Sequence, residues 1–203
     1  MGHFIMKQET KLSLLIIFLI LILTVTIITI TVKQKSKNYN YNSFDIIEAK
    51  KENVIFYLTK LYINNNPNPT YLRTRYDPKK LKDIPVENIK DKVIGKQLGY
   101  ISINPDENLS EKAVVAALEL DSVIDTILKI PLNSAYTKEY KNNTIKTCND
   151  ANKTEAVIIL TLGNDNKVFS NNECVVVQAT DEDNLIKAAD RFGFYLLGVM
   201  NES

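Results

Sequence analysis

The run Leu12–Val32 (LSLLIIFLILILTVTIITITV) contains no charged residue, no Gly and no Pro over 21 residues. As a helix rising about 1.5 Å per residue it spans roughly 30 Å, the thickness of a bilayer's hydrocarbon core. Its polar members, Ser13, Thr24, Thr26, Thr29 and Thr31, can return their hydroxyls to carbonyls of the preceding turn, which makes them cheap in lipid. The run therefore reads as an N-terminal transmembrane anchor. A cleaved secretory signal has a shorter apolar stretch, roughly 7–15 residues, followed by small residues at a cleavage site. Thr31-Val32-Lys33-Gln34-Lys35 is no such site. A pilin-like start would need a small residue before the processing position, and Lys7-Gln8 lacks one.

The lysines do not fix the orientation. Lys7 and Lys11 precede the run, and Lys33, Lys35 and Lys37 follow it. Counted alone, these favour the C-terminal part inside, but long domains translocate largely regardless of such charges. The cysteines, taken below, point to the outside.

Net charge is +1, but it is unevenly distributed. Lys33–Tyr100 carries 14 Lys/Arg against 7 Asp/Glu, and Ile101–Ser203 carries 9 against 16. A basic segment beside a bilayer can rest on anionic headgroups, or the two halves can attract each other. The acidic distal half argues against nucleic acid as a partner.

After the anchor, Lys33–Ser43 (KQKSKNYNYNS) reads as a polar stalk. Ser43 is placed to cap a helix over 44–63, with Phe44, Ile47, Val54, Ile55, Leu58, Leu61 and Tyr62 near helical spacing. The Asn/Pro stretch Asn64–Pro69 ends it, and Tyr71–Asn88, with Pro78 and Pro85, reads as a basic connector. The expected organisation is thus a tail over 1–11, the anchor over 12–32, a stalk, juxtamembrane helix and connector over 33–90, and a small soluble domain over 91–203.

In that last segment, 92–95 and 100–103 read as short strands. Asn108, with Glu111 three residues on, reads as the capping box of a helix running to about Lys129, stopped by Pro131. Glu155–Leu162 (EAVIILTL) and Cys174–Ala179 (CVVVQA) are continuous apolar runs, the pattern of strands buried on both faces. Gly163-Asn164-Asp165-Asn166 between them is a turn signal, and antiparallel pairing of the two strands is the simplest expectation. A last helix follows, capped by Thr180 with Asp183 reaching back. Leu185, Ala188, Ala189, Phe192, Leu196 and Val199 form its buried stripe, and Gly198 stops it. The fold class is α/β: one N-terminal transmembrane helix, then a small layered domain of short strands covered by helices.

Thr154–Met200, above all CVVVQATDEDNLIKAADRFGFYLLGVM, resembles the C-terminal unit of membrane-anchored or secreted archaeal proteins, including surface-layer-type proteins. The matching pattern is a strand after a Cys, an acidic capped helix, Ala-Ala-Asp-Arg and an apolar Leu-Gly-Val end. The resemblance covers about a quarter of the chain. It implies a location outside the cytoplasmic membrane and no reaction.

The chemistry-bearing residues are sparse. The only His is His3, before the anchor, so Ser/His or Cys/His catalysis and most zinc sites have no base or ligand in the soluble part. Asp181, Glu182 and Asp183 could be taken for a metal cluster, but carboxylates are favoured at a helix start. The Gly163–Asn166 turn lacks the spaced ligands of a calcium loop. Tyr39, Tyr41, Tyr57, Tyr62, Tyr71, Tyr76 and Tyr100 crowd the proximal half, where packing and interfacial anchoring explain them better than a partner surface does. Asp190 and Arg191 are adjacent on a helix, so each is expected to pair elsewhere.

The two cysteines, Cys148 and Cys174, flank the first apolar strand and open the second, and a disulfide between them is expected. Such a bond belongs to an oxidising compartment. Sequons at Asn108, Asn142, Asn152 and Asn201 are candidate glycosylation sites that fit an exported domain.

No cofactor, metal or catalytic residue is expected. The expected partners are the lipid bilayer and other membrane or surface-layer proteins. The leading expectation is a non-catalytic, single-pass surface protein of the cytoplasmic membrane with its soluble domain outside. Its alternatives are an accessory subunit of a membrane complex and a hydrolase working without His.

Overall fold

The computed structural model describes residues 17–23, 37–63 and 66–202, and the chain divides into two units, Met1–Lys37 and Asn38–Ser203. In the first unit, residues 17–23 are helical with exposed apolar side chains such as Phe18 and Leu23. The rest of the expected anchor, 12–32, lies outside the described residues. Among the described residues no helix is long and apolar enough to cross a membrane.

The second unit is mixed α/β and holds two sheets. The first has four strands in the order β1 (Lys37–Tyr41), β2 (Phe44–Lys51), β3 (Val54–Leu61) and β4 (Thr70–Thr74). The helix expected over 44–63 is therefore a β-hairpin. Its apolar residues satisfy helical spacing only loosely, whereas alternation places Ile46, Tyr57, Thr59, Leu61, Leu72 and Thr74 on one buried face. Antiparallel register sets Ile46 opposite Thr59 and Thr59 opposite Leu72. β-Branched and aromatic residues suit such a half-buried pleat. Asn42 (φ 48) and Ser43 (φ 69) make the left-handed turn between β1 and β2, and Glu52 (φ 57) turns β2 into β3.

The stalk and connector are also corrected, because residues from Asn38 onward belong to the same compact unit as the C-terminal half. Leu81, Ile84, Val86, Ile89 and Val93 bury themselves in the main core even though the segment is irregular. The expected strand over 92–95 is instead a turn that follows a short 3₁₀ helix, Lys90–Lys92.

The second sheet has the order β6-β5-β7-β9-β8. Its strands are β5 (Leu98–Ile103), β6 (Leu132–Tyr136), β7 (Glu155–Leu162), β8 (Lys167–Asn171) and β9 (Cys174–Ala179). The two apolar strands, β7 and β9, run parallel, which corrects the antiparallel expectation. The chain passes from β7 across to the edge, forms β8 there, and returns antiparallel as β9. Both runs are buried on two faces, as their unbroken apolar character requires. Ala156, Ile158, Leu160, Val175 and Val177 face the main core, while Val157, Cys174 and Val176 form a second cluster on the opposite face.

Two helices, α1 (Glu111–Asp121) and α2 (Glu182–Leu196), cover the main-core face. Ser110 caps α1, accepting from the Lys112 N–H, and Asn108, expected in that role, sits two residues upstream at φ 48. Asp181, one residue past the expected Thr180, caps α2 by accepting from Asn184 N–H. α1 continues into a π-helical turn, Ser122–Ile127, where Leu128 N–H reaches Val123 O. A Cβ on Gly193 would come within 2.9 Å of Val123 Cγ2, so glycine is what lets α2 approach this turn.

Candidate functional site

Cys148 lies in a short 3₁₀ turn held by a reciprocal box. Asp150 Oδ2 accepts from Thr147 N–H (2.7 Å) and Oγ1 (2.8 Å), bonds that hold its carboxyl below the usual range. The turn sits over the second-cluster face, where Cys174 opens β9, and the two cysteines are disulfide-bonded with Cα atoms 5.0 Å apart. Antiparallel strands are not needed for this: the loop before β7 folds back onto the start of its parallel neighbour. Closing a 26-residue separation is worth about 3.5 kcal/mol through the unfolded chain.

The acidic trio joins two helix starts. Asp181 caps α2, and the Asn184 N–H holds its carboxyl below the usual range. Glu182 accepts from Ser110 N–H (2.6 Å) and from the Ser110 hydroxyl. Asp183 pairs with Lys112 (2.8 Å). Among the described residues no group of three or more His, Cys, Asp or Glu could hold a metal ion.

Asp190 and Arg191 each pair elsewhere, as their adjacency implies. Arg191 Nη2 donates to Asn201 O (2.5 Å). Asp190 is buried, and its Oδ2 accepts the N–H groups of Arg75 (3.1 Å) and Tyr76 (2.9 Å), tying α2 to the end of β4. Among the described residues its Oδ1 has no hydrogen-bond partner. Burial, then the charge of Glu119, pushes the Asp190 carboxyl well above its ordinary range. Glu119, on α1, is itself raised to about 7 by burial, against the pull of Arg75 and Arg73. Arg75 Nε lies 3.7 Å from Glu119. Sequence reasoning missed Glu119 and Arg75, because their proximity depends on two distant segments meeting.

Among the described residues, three hollows bear on the site. A groove of about 470 Å³ runs between α1 and the edge strand β6, lined by Ile103, Ala113, Val114, Ala117, Leu118 and Leu132 among others. Val114 and Leu118 are exposed there. A second hollow, about 500 Å³, lies among Asp83, Asn164, Asp165 and Thr180. The third, about 250 Å³, is formed by Lys51, Glu52, Val54, Phe56, Arg73 and Arg75 on the first sheet. Neither Asp190 nor Glu119 lines any of them.

The tyrosines divide by face: Tyr57 is buried, Tyr39 donates to Asp77 Oδ1 (2.6 Å), and Tyr62 and Tyr71 are exposed. The sequon residues Asn108, Asn142, Asn152 and Asn201 are all exposed. Asn152 already holds its own loop, its Oδ1 accepting from Thr154 and Glu155 N–H.

No protein-family model, curated protein or solved structure matches the chain.

Proposed function

We propose that the chain is a single-pass protein of the cytoplasmic membrane, displaying its α/β body on the outer side in a structural or interaction role without catalysis. The observation that carries this reading is the pairing of an uncharged 21-residue run with a disulfide-bonded body. The first needs lipid, and the second needs an oxidising compartment. Four exposed sequon asparagines and the resemblance of Thr154–Met200 to archaeal surface-layer-type proteins support the same side. Other surface-layer or membrane proteins are the partners this reading implies.

A second reading, an accessory subunit of a membrane complex, draws on the groove beside β6. That strand pairs with β5 on one side, and exposed Val114 and Leu118 flank it. The hydrolase alternative needs two facing carboxylates in a cleft, and the raised pair Asp190 and Glu119 lines no hollow described above.

Intact cells treated with a membrane-impermeant phosphine and then an impermeant maleimide–polyethylene glycol test the display. The expected result is a mass tag on the half-buried Cys148, gained only after reduction. Tagging that appears only after lysis, or without reductant, rejects the outward body.

A further inference from the structure

The first sheet presents an outer face whose side chains are half-buried or exposed. Register stacks Ile47, Leu58 and Arg73 in one row, Ala49 and Phe56 in the next, Lys51 and Val54 beyond them, and Lys60 opposite Tyr71. Ile47, Phe56 and Leu58 are half-buried, and Val54 and Tyr71 are about half exposed. An apolar centre is thus rimmed by three cations. Arg73 lies over the Phe56 ring at 5.5 Å, beside the hollow that Lys51 and Val54 complete. Asp45 and Glu52 sit at the margin of the face. Over Lys33–Arg75 the chain carries 8 Lys/Arg against 3 Asp/Glu.

Apolar and aromatic side chains interleaved with Lys and Arg suit the boundary between headgroups and acyl chains. Chain length brings such a boundary within reach. If Leu12–Val32 crosses the bilayer, only four residues separate it in sequence from β1. We infer that the outer face of the β2-β3-β4 sheet lies on the anionic headgroups of the membrane that anchors the chain. This rests on the anchored reading above. A second copy of the chain and an anionic polysaccharide are the competing occupants of the face.

The chain has no Trp, so Phe56→Trp supplies a single reporter, and Val54→Trp supplies a second should the first disturb the sheet. The full-length variant is reconstituted into vesicles of neutral phosphatidylcholine or of phosphatidylcholine with phosphatidylglycerol, each with brominated acyl chains. Flotation reads the anchor, and quenching reads the face. The expected result is flotation with both lipids and quenching at least about twofold stronger with the anionic one, abolished by Lys60→Glu with Arg73→Glu. Flotation without quenching of either reporter overturns the docking and leaves the anchor standing. A chain that fails to float overturns both. Reporters that are unquenched but shielded only in cross-linked dimers assign the face to a second copy. Shielding only on addition of a soluble polyanion assigns it to a polysaccharide. Either assignment overturns the lipid.

Discussion

The two sheets share one body but solve opposite problems. At its centre, over β7 and β9, the five-stranded sheet is covered on both sides, by α1 and α2 on one and by the disulfide-bearing turn on the other. The four-stranded sheet is covered on one side and leaves Val54 and Tyr71 in the open on the other. A strand covered twice has no polar face to display, so β7 and β9 read as unbroken apolar runs. A strand covered once alternates, and β3 places Tyr57, Thr59 and Leu61 inside while Phe56, Leu58 and Lys60 face out. The consequence is unequal tolerance. β7 and β9 accept almost no polar substitution, and the singly covered sheet accepts it on half its positions.

The sharpest way to break that contrast is to charge the layer covering the second sheet. Ala189 on α2 is fully buried, and Ala189→Asp is expected to cost at least about 4 kcal/mol and abolish cooperative melting. An unchanged melting curve would show that α2 does not seal this face.

A smaller effect should come from the join between the sheets, where Glu119 and Asp190 lie. Both carboxyls are raised in the folded body, so the folded state holds protons that the unfolded chain gives up. Stability is therefore fully present below the unfolded value, 4.5 for Glu119, and is lost as pH rises towards about 7. With the Glu119 side chain only 10% exposed, the loss should be on the order of 1–3 kcal/mol between pH 4.5 and 7.5. Thermal melts across that range should show the midpoint falling, and Glu119→Gln should flatten the fall. A midpoint that rises with pH would reverse the assignment.

The smallest single effect belongs to the outer face of the first sheet, with the inner face as its contrast. Val54→Ser on the outer face should change stability by less than about 0.5 kcal/mol, whereas Leu72→Ala on the inner face should cost about 2–4 kcal/mol. Urea unfolding of the two variants measures the gap, and equal costs would mean that the outer face is covered.

What the sequence disclosed follows the same division. Continuous runs such as EAVIILTL admit one reading, and the strands appear where expected. The stripe of α2 was equally plain, with its cap one residue along at Asp181. Residues 44–63 were not plain, because helical spacing and alternation both fit them in part. The turn that separates the two readings is carried by Glu52 at φ 57, a residue type that does not advertise a left-handed turn as Gly does. β8 escaped notice because a five-residue edge strand with mixed polarity has little pattern to show. With two cysteines in the chain, the disulfide was visible by elimination. The contact of Asp190 with Arg75 spans 115 residues, and no local rule reports it.

That long contact also has a consequence in time. Asp190 secures the end of β4, Asn42 Nδ2 donates to Val199 O (3.0 Å), and Ile89 N–H donates to the Tyr195 hydroxyl (3.0 Å). The earliest strands to leave the ribosome thus wait for the last helix to be made. Until residues near 200 emerge, these ties of the first sheet and its following loop cannot form. A nascent chain that cannot finish its fold early is still threadable late. If the body crosses a membrane, as proposed, finishing last keeps it in the one state a narrow protein-conducting pore accepts.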